Sequence, residues 1–350
     1  MDTITHAVLG ATLARACAHR RNVCLSLREQ IALGAVAGAF PDLDFAGFLV
    51  DPLTFLAYWH QGPTHSLVLL PLWSVLIGGT FVLARAKRHA FVPASAIAAL
   101  GLVSHIASDA VTAYGTAVFW PLSELRIGLG MVYVIDPLFT LILLAGLGMA
   151  AATGRRFAAV SALVALGVYV TSLAWLQQRA VELARASPQT QGRGIEQLTA
   201  LAQPFSPFNW KLIGSSGPVF HETYLNLVGH PPLPALPERA AAIAGAYRGP
   251  EAIAWRVRDR AGGQSGMDGL VAQRWSDPRF ATYRHFARYP AVSRIERNGE
   301  TCVWFTDLRY DLPALPDTFR YGFCRETGTE IWQLYRLRYF SNDARQRLPE

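Results

Sequence analysis

Cysteine is scarce in this chain: four residues in 350, at positions 17, 24, 302 and 324. None lies close to the densest histidine stretch, which argues against a thiolate metal site there. Charge is scarce over residues 1–178, which hold ten Lys/Arg and eight Asp/Glu, against 22 and 17 in the remainder. The resulting net charges of +2 and +5 sum to the overall +7. Met1-Asp2-Thr3 lacks the positive start of a cleavable signal, so the apolar segments that follow are expected to stay in the mature protein. The arginines of the second half are dispersed and carry no nucleic-acid module signature, so lipid headgroups suit the basic balance better than nucleic acid. No internal repeat is visible, which weighs against a transporter built from two halves.

What is present is apolar sequence. Hydrophobic residues make up 51% of the chain, and they concentrate in the first half. Runs at about 66–84, 91–111, 132–152 and 157–177 are long enough to cross a bilayer, which takes roughly 20 residues. Residues 3–19 read as a short apolar helix. Residues 29–59 begin as a helix and are interrupted by Pro41-Asp42-Leu43-Asp44, where carboxylates beside a proline suggest broken, protein-facing backbone. The fold class expected is a mainly α membrane helical bundle over 1–178, a helical connector over 179–203, and a soluble α+β domain over 204–350.

The positive-inside rule orients the bundle. Arg15, Arg20, Arg21 and Arg28, then Arg85, Lys87 and Arg88, then Arg155 and Arg156 form three clusters that alternate with the runs. With these inside, only Arg126 of the ten basic residues lies outside. The acids sort the other way: Asp2, Asp42, Asp44, Asp51, Asp109, Glu124 and Asp136 fall at or near outer ends, and Glu29 alone is inside. His6, His60, His65 and His105 also go outward, while His19 and His89 stay in basic inner loops.

Five pieces thereby converge on one face: Asp2-x3-His6, Asp42-x-Asp44, His60-x4-His65, His105-x3-Asp109, and Asp136. Residues four apart on a helix share a face, so His105 and Asp109 can bind one ion or two adjacent ions. Asp42 and Asp44 would repel each other if buried unpaired, and a cation between them is the economical explanation. Imidazole and carboxylate ligation suits zinc, and also manganese or iron. Plainer roles stand beside these. Asp2 and Asp136 are suited to capping helices, His60 to an interfacial belt with Tyr58 and Trp59, and His105 with Asp109 to a structural hydrogen bond. Thr64 and Ser66 suit support or capping rather than nucleophilic attack. Arg126, in the outer loop 112–131, reads as a solvated residue or as a phosphate contact.

These words resemble the membrane-bound metal-dependent hydrolases, also described as LexA-binding, inner-membrane-associated hydrolases. The matching stretches are Met1-Asp2-Thr3-Ile4-Thr5-His6, Pro41-Asp42-Leu43-Asp44, His60-Gln61-Gly62-Pro63-Thr64-His65-Ser66, His105 through Asp109, Tyr114-Gly115-Thr116, Trp120-Pro121 and Asp136-Pro137. They cover most of residues 1–150 in order, with Gln61 where a basic residue is expected. The resemblance implies a bacterial inner-membrane, multi-pass protein. It also implies a divalent ion, zinc foremost, held among His6, Asp42, Asp44, His60, His65, His105, Asp109 and Asp136. A more distant similarity to zinc-dependent phospholipase C and related nucleases implies phosphoester hydrolysis. No second His-x3-Glu pair appears, so one or two ions are expected rather than three.

In the second half, strand-like alternation falls at 209–213, 218–227, 282–288, 300–310, 319–325 and 329–340, with helices at 237–247 and 249–258. Cys302 and Cys324 either pair in an oxidising compartment or remain buried thiols. His221, His230 and His285 are scattered and read as structural. Span counting puts this domain outside the cytoplasm. The function expected is metal-dependent hydrolysis of a phosphoester in a membrane lipid or lipid-linked substrate at the outer face. Asp44, His65 and Asp109 are the residues nearest the chemistry, and Asp44 is the candidate general base. The alternative is a non-enzymatic regulatory protein of the LexA-binding type with a structural metal site, though the short basic inner loops offer little partner surface.

Overall fold

The computed structural model describes residues 1–18, 24–229, 237–261, 269–297, 299–339 and 341–348. His19, Arg20, Arg21 and His230 lie outside the described residues. The chain divides into two compact units, Met1–Trp175 and Leu176–Glu350. The first is helical; the second is antiparallel sheet with short helices.

In the first unit α1 (Thr3–Cys17) starts at Asp2, whose carboxylate accepts from the Thr5 N–H. The next helix, α2 (Leu27–Ala39), starts at a reciprocal capping box between Ser26 and Glu29. Proline 41 does not stop the chain from turning. The helix passes into a 3-10 segment, Phe40–Leu49, and the two together are long and apolar enough to span. Arg88–Ala110 and Phe157–Ala186 also qualify. The first contains α5 (Phe91–Ala110), and the second is α7 (Phe157–Ala186), which carries the chain into the second unit.

Two expected spans take a different form. The run at 66–84 yields only α4 (Leu70–Ala84). It reaches spanning length together with Pro52–His65, from which it is bent by 71°. That preceding piece holds α3 (Pro52–Thr54), a π turn at Phe55–Trp59 and a 3-10 turn at Pro63–His65. Gly62-Pro63 separates the π turn from the 3-10 turn, and the bend to α4 falls at residues 66–69. The run at 132–152 yields α6 (Pro137–Thr153), of 17 residues, because Asp136 caps it and leaves the preceding apolar residues in a loop.

Close backbone approach locks α1, α2 and α5 together. A Cβ on Gly10 would stand 2.2 Å from the Gly34 carbonyl oxygen, one on Gly38 2.5 Å from that of His6, and one on Gly101 2.9 Å from the Gly38 nitrogen. Small residues spaced by four on α2 are what let apolar helices touch where lipid offers no hydrophobic driving force. At one end of this bundle Glu29 binds Lys87 at 2.7 Å and Arg85 at 3.3 Å. The C-terminal end of α5 lies about 30 Å away along its 20 residues.

The second unit contains two antiparallel meanders. One sheet runs β1 (Gln197–Ala202), β2 (Asn209–Ser216), β3 (Val219–Asn226) and β4 (Arg256–Asp259). The other runs β5 (Pro290–Arg297), β6 (Glu300–Asp307), β7 (Tyr321–Glu326), β8 (Gln333–Leu337) and β9 (Arg345–Arg347). Ala180 and Ala184 of α7 pack on Ala200, Trp210 and Leu225 of the first sheet. Buried Lys211 pairs with Glu222 at 3.0 Å and donates to the Asp311 carbonyl at 3.3 Å, so a charged network ties β2 and β3 to the segment after β6. Arg258 extends it to Glu222 at 3.0 Å and Asp317 at 2.9 Å.

The short helices are α8 (Glu238–Ala244), α9 (Gly269–Trp275) and α10 (Ala281–Phe286). The alternation at 282–288 is therefore helix rather than strand, its aromatics Tyr283 and Phe286 being buried on one helical face. Within 249–258 there is a 3-10 turn, Pro250–Ala252, and then β4. The connector is helical only to Ala186, and β1 falls inside it. Cys302 and Cys324 face one another across β6 and β7 and are joined by a disulfide.

Two outcomes check this description. Gly38→Ala drives a methyl into the His6 backbone, whereas Gly148 meets nothing within 4 Å. The first should destabilise the protein by about 1–3 kcal/mol in a detergent unfolding assay and Gly148→Ala should be near neutral or stabilising. Alkylation without reductant should modify Cys17 and Cys24 and leave Cys302 and Cys324 untouched.

Candidate metal centre

The site forms where α1 begins, α2 passes into its 3-10 continuation, the Gly62-Pro63 turn ends and α5 ends. His6 sits in the first turn of α1, Asp42 and Asp44 on the 3-10 segment, His65 at the end of the turn, and His105 and Asp109 one turn apart on α5. His6, His65, His105 and Asp109 are completely buried.

Asp109 is the hub. Its Oδ1 lies 3.1 Å from His6 Nε2. Its Oδ2 lies 3.2 Å from His65 Nε2 and 3.3 Å from His105 Nε2. Asp42 Oδ1 is 3.7 Å from His105 Nε2, while its other oxygen accepts from the Thr3 hydroxyl at 2.6 Å. Ligand atoms of His6, Asp42, His105 and Asp109 all fall within 4.8 Å of one another. His65 Nε2 is 2.9 Å from His105 Nε2, and the His6 and His105 rings stack at 3.6 Å.

The tautomers of two rings follow from their partners. His105 Nδ1 lies 2.6 Å from the Gly38 carbonyl, which can only accept, so this nitrogen carries the proton. Ser108 donates its hydroxyl to the Ser104 carbonyl at 2.8 Å and is left to accept from His6 Nδ1 at 3.1 Å. In the neutral rings both Nε2 atoms therefore present lone pairs, and both point at a carboxylate. Two acceptors then face one another at His6 and Asp109, an opposition that a cation would relieve, while His105 Nε2 has His65 Nε2 as a neighbour able to donate at 2.9 Å. The Met1 amino group contacts Asp109 Oδ1 and the Gln61 amide contacts Oδ2 at 2.9 Å. Both satisfy the carboxylate; neither contact supplies a donor to the imidazole lone pairs. The donor set thus fits a divalent ion of the zinc, manganese or iron type.

Asp44 belongs to an adjoining pair. On a 3-10 segment residues two apart point about 120° away from one another, so Asp42 and Asp44 turn to different partners. Asp44 Oδ1 meets His60 Nδ1 at 3.1 Å, and Oδ2 accepts from the Gln61 N–H at 3.2 Å and lies 3.7 Å from His65 Nδ1. His60 stands edge-on to Phe45 and Tyr114. Asp136 is not brought to the cluster. It accepts from the Leu138 and Phe139 N–H groups at 3.0 Å and from the Tyr169 hydroxyl at 2.8 Å. Asp2 likewise caps α1. Arg126 is neither solvated nor free for phosphate: its guanidinium donates to the carbonyls of His60, Gly115 and Ala57 at 2.9–3.1 Å.

The residue that sequence reasoning passed over is Gln61. It holds a left-handed backbone, φ 55°, rare for a residue with a Cβ. Four hydrogen bonds fix it there. Its N–H donates to Asp44, its carbonyl accepts from Ala117 N at 2.9 Å, its Oε1 accepts from the Thr116 hydroxyl at 2.9 Å, and its amide holds Asp109. The polar residue between His60 and Gly62 was the available signal, but no local pattern reveals a partner 48 residues away.

The fold and site define a multi-spanning membrane protein with a buried His/Asp cluster at one end of its bundle. A family model described as YdjM inner membrane protein matches residues 1–179, and the chain belongs to that family. It is also similar to the uncharacterized protein YfhP of Bacillus subtilis (strain 168), at 29% identity over 140 residues. That alignment covers 39% of this chain and 42% of the relative, well short of its full length. No solved structure matches the chain.

The variants His65→Ala and Asp109→Ala are expected to abolish zinc binding, read by elemental analysis of the purified protein. Asp136→Ala should keep the metal and lose about 1 kcal/mol of stability as a lost cap. Retention of stoichiometric zinc by Asp109→Ala would remove the hub role.

Proposed function

We propose that this inner membrane protein is a metal-dependent hydrolase acting on a phosphoester in a lipid or lipid-linked substrate. The observation that carries the reading is the pair of imidazoles, His6 and His105, each holding its proton on Nδ1 and turning a lone pair toward Asp109. His6, Asp42, His105 and Asp109, with His65 against them, would hold the ion. A divalent ion there supplies Lewis acidity and makes a water nucleophilic near neutral pH.

The chain's own residues supply the rest. Gly38 and Ser108 fix the rings of His105 and His6, and Gln61 fixes the Asp109 carboxylate. Asp44, beside His65 yet outside the tightest group, is placed to take a proton, and its contact with His60 Nδ1 gives a route onward. The half-exposed apolar groups Phe45, Tyr58 and Trp59 near His60 suit a lipid substrate. The charge bias of the loops supports a reading in which this end faces away from the cytoplasm. A disulfide at Cys302–Cys324 accords with an extracytoplasmic second unit.

The test is turnover by the full chain in nanodiscs with added zinc or manganese, on phospholipids and a chromogenic phosphodiester. Chelation and the His65→Ala/Asp109→Ala double variant should each reduce the rate roughly a hundredfold or more. Hydrolysis that survives both would sink the assignment.

A further inference from the structure

The second unit carries an exposed aromatic turn that neither its core nor the metal centre uses. Between β1 and β2 the sequence is Pro204-Phe205-Ser206-Pro207-Phe208. Phe205 is 64% exposed, and its backbone is left-handed at φ 73°. The turn is fixed rather than loose: Gln203 N–H donates to the Asn209 carbonyl at 3.1 Å, Asn209 Nδ2 to the Pro204 carbonyl at 3.0 Å, and Phe208 N–H to the Ser206 hydroxyl at 3.2 Å. A large apolar ring held outward in a rare backbone conformation marks a surface with a use.

Its place in the unit says what the use is. The unit begins at Leu176, within α7, toward the C-terminal end of the helix that is long and apolar enough to span. The helix and β1 run in opposite directions. Gln177 Nε2 donates to the Ala200 carbonyl at 2.8 Å, near the helix entry. At the far end the Ser216 hydroxyl donates to the Arg193 carbonyl and Glu196 N–H to that of Ser215. The β1–β2 turn therefore lies at the end of the sheet where the apolar helix enters, and Phe205 is five residues beyond Ala200, roughly 10–15 Å further that way. The end of β3 lies beside it, since Leu227 N–H donates to the Phe208 carbonyl at 3.0 Å. Val228 there is 62% exposed. Exposed Arg248 adjoins it through its carbonyl, which accepts from Asn226 N–H at 2.7 Å. Trp175, the last residue before the unit, is also exposed, as aromatics at a membrane interface are.

We propose that the Phe205 turn, with Val228 beside it, inserts into the headgroup–acyl boundary of the leaflet from which α7 emerges, with Arg248 at the lipid phosphates. Aromatic and aliphatic groups beside a basic one are the composition of an interfacial anchor.

Spin labels test this on the full chain in nanodiscs of phosphatidylethanolamine and phosphatidylglycerol. In a Cys17→Ser/Cys24→Ser background that keeps the 302–324 disulfide, a label is placed by Phe205→Cys, by Val228→Cys, or by Pro218→Cys in the exposed turn at the opposite end of the sheet. The labels at 205 and 228 should be relaxed at least threefold more by oxygen than by an aqueous nickel chelate, and that at 218 by the chelate. Chelate access at 205 and 228 equal to that at 218 overturns the anchor. Protection at both from oxygen and chelate alike overturns it in favour of a protein contact. Val228→Cys decides the matter if Phe205→Cys does not fold.

Discussion

A carboxylate without water around it must be matched by donors or cations, and Asp109 is the group on which the membrane unit is built. Its two oxygens face His6, His65 and His105, and Gln61 and the Met1 amino group complete the ring. These partners come from the start of α1, from α5 and from the turn at Gln61 and His65, spread over more than 100 residues. Three of them are held from behind: His105 by the Gly38 carbonyl, His6 by Ser108, Gln61 by Thr116. Second contacts of this kind fix ring orientation, so the lone pairs are aimed at the carboxylate.

Helix packing makes that aim possible. The Gly38 carbonyl reaches His105 only because α2 and α5 approach closely at Gly101, and α1 comes near only because Gly10, Gly34 and Gly38 leave no side chain between backbones. In the membrane such contacts replace hydrophobic burial as the source of specificity. The same glycines therefore hold the bundle together and set where the His6 and His105 rings lie. The opposite end of the bundle is an ordinary polar terminus, with Glu29 matched by Lys87 and Arg85.

The spacing of His105 and Asp109 on one helical face, the apolar runs and the sorting of acids from bases were legible along the chain, because helical period and bilayer thickness are local constraints. Cys302 and Cys324 could be placed in strands, but only the β6–β7 register sets them opposite one another and decides that they pair. Ligand and cap were harder to tell apart. Asp136 and Asp42 both stand next to a proline, yet one caps α6 and the other reaches His105. The difference lies in which residues fold back against them. The Tyr283–Phe286 segment misled for a related reason, since a short aromatic run fits either period until its burial is known.

The sequence by itself determined that this is a membrane protein with His6, His60, His65, His105 and most acids of its first half gathered at one end and an α+β unit following, since hydropathy and charge bias act without reference to partners. Only the tertiary structure decided which of eight candidate ligands meet. It separated Asp42 from Asp44 by the twist of a 3-10 segment, tied Arg126 to backbone carbonyls, and gave Gln61 its grip on Asp109. Those outcomes depend on distances between residues far apart in the chain. Close packing at a few glycines sets them.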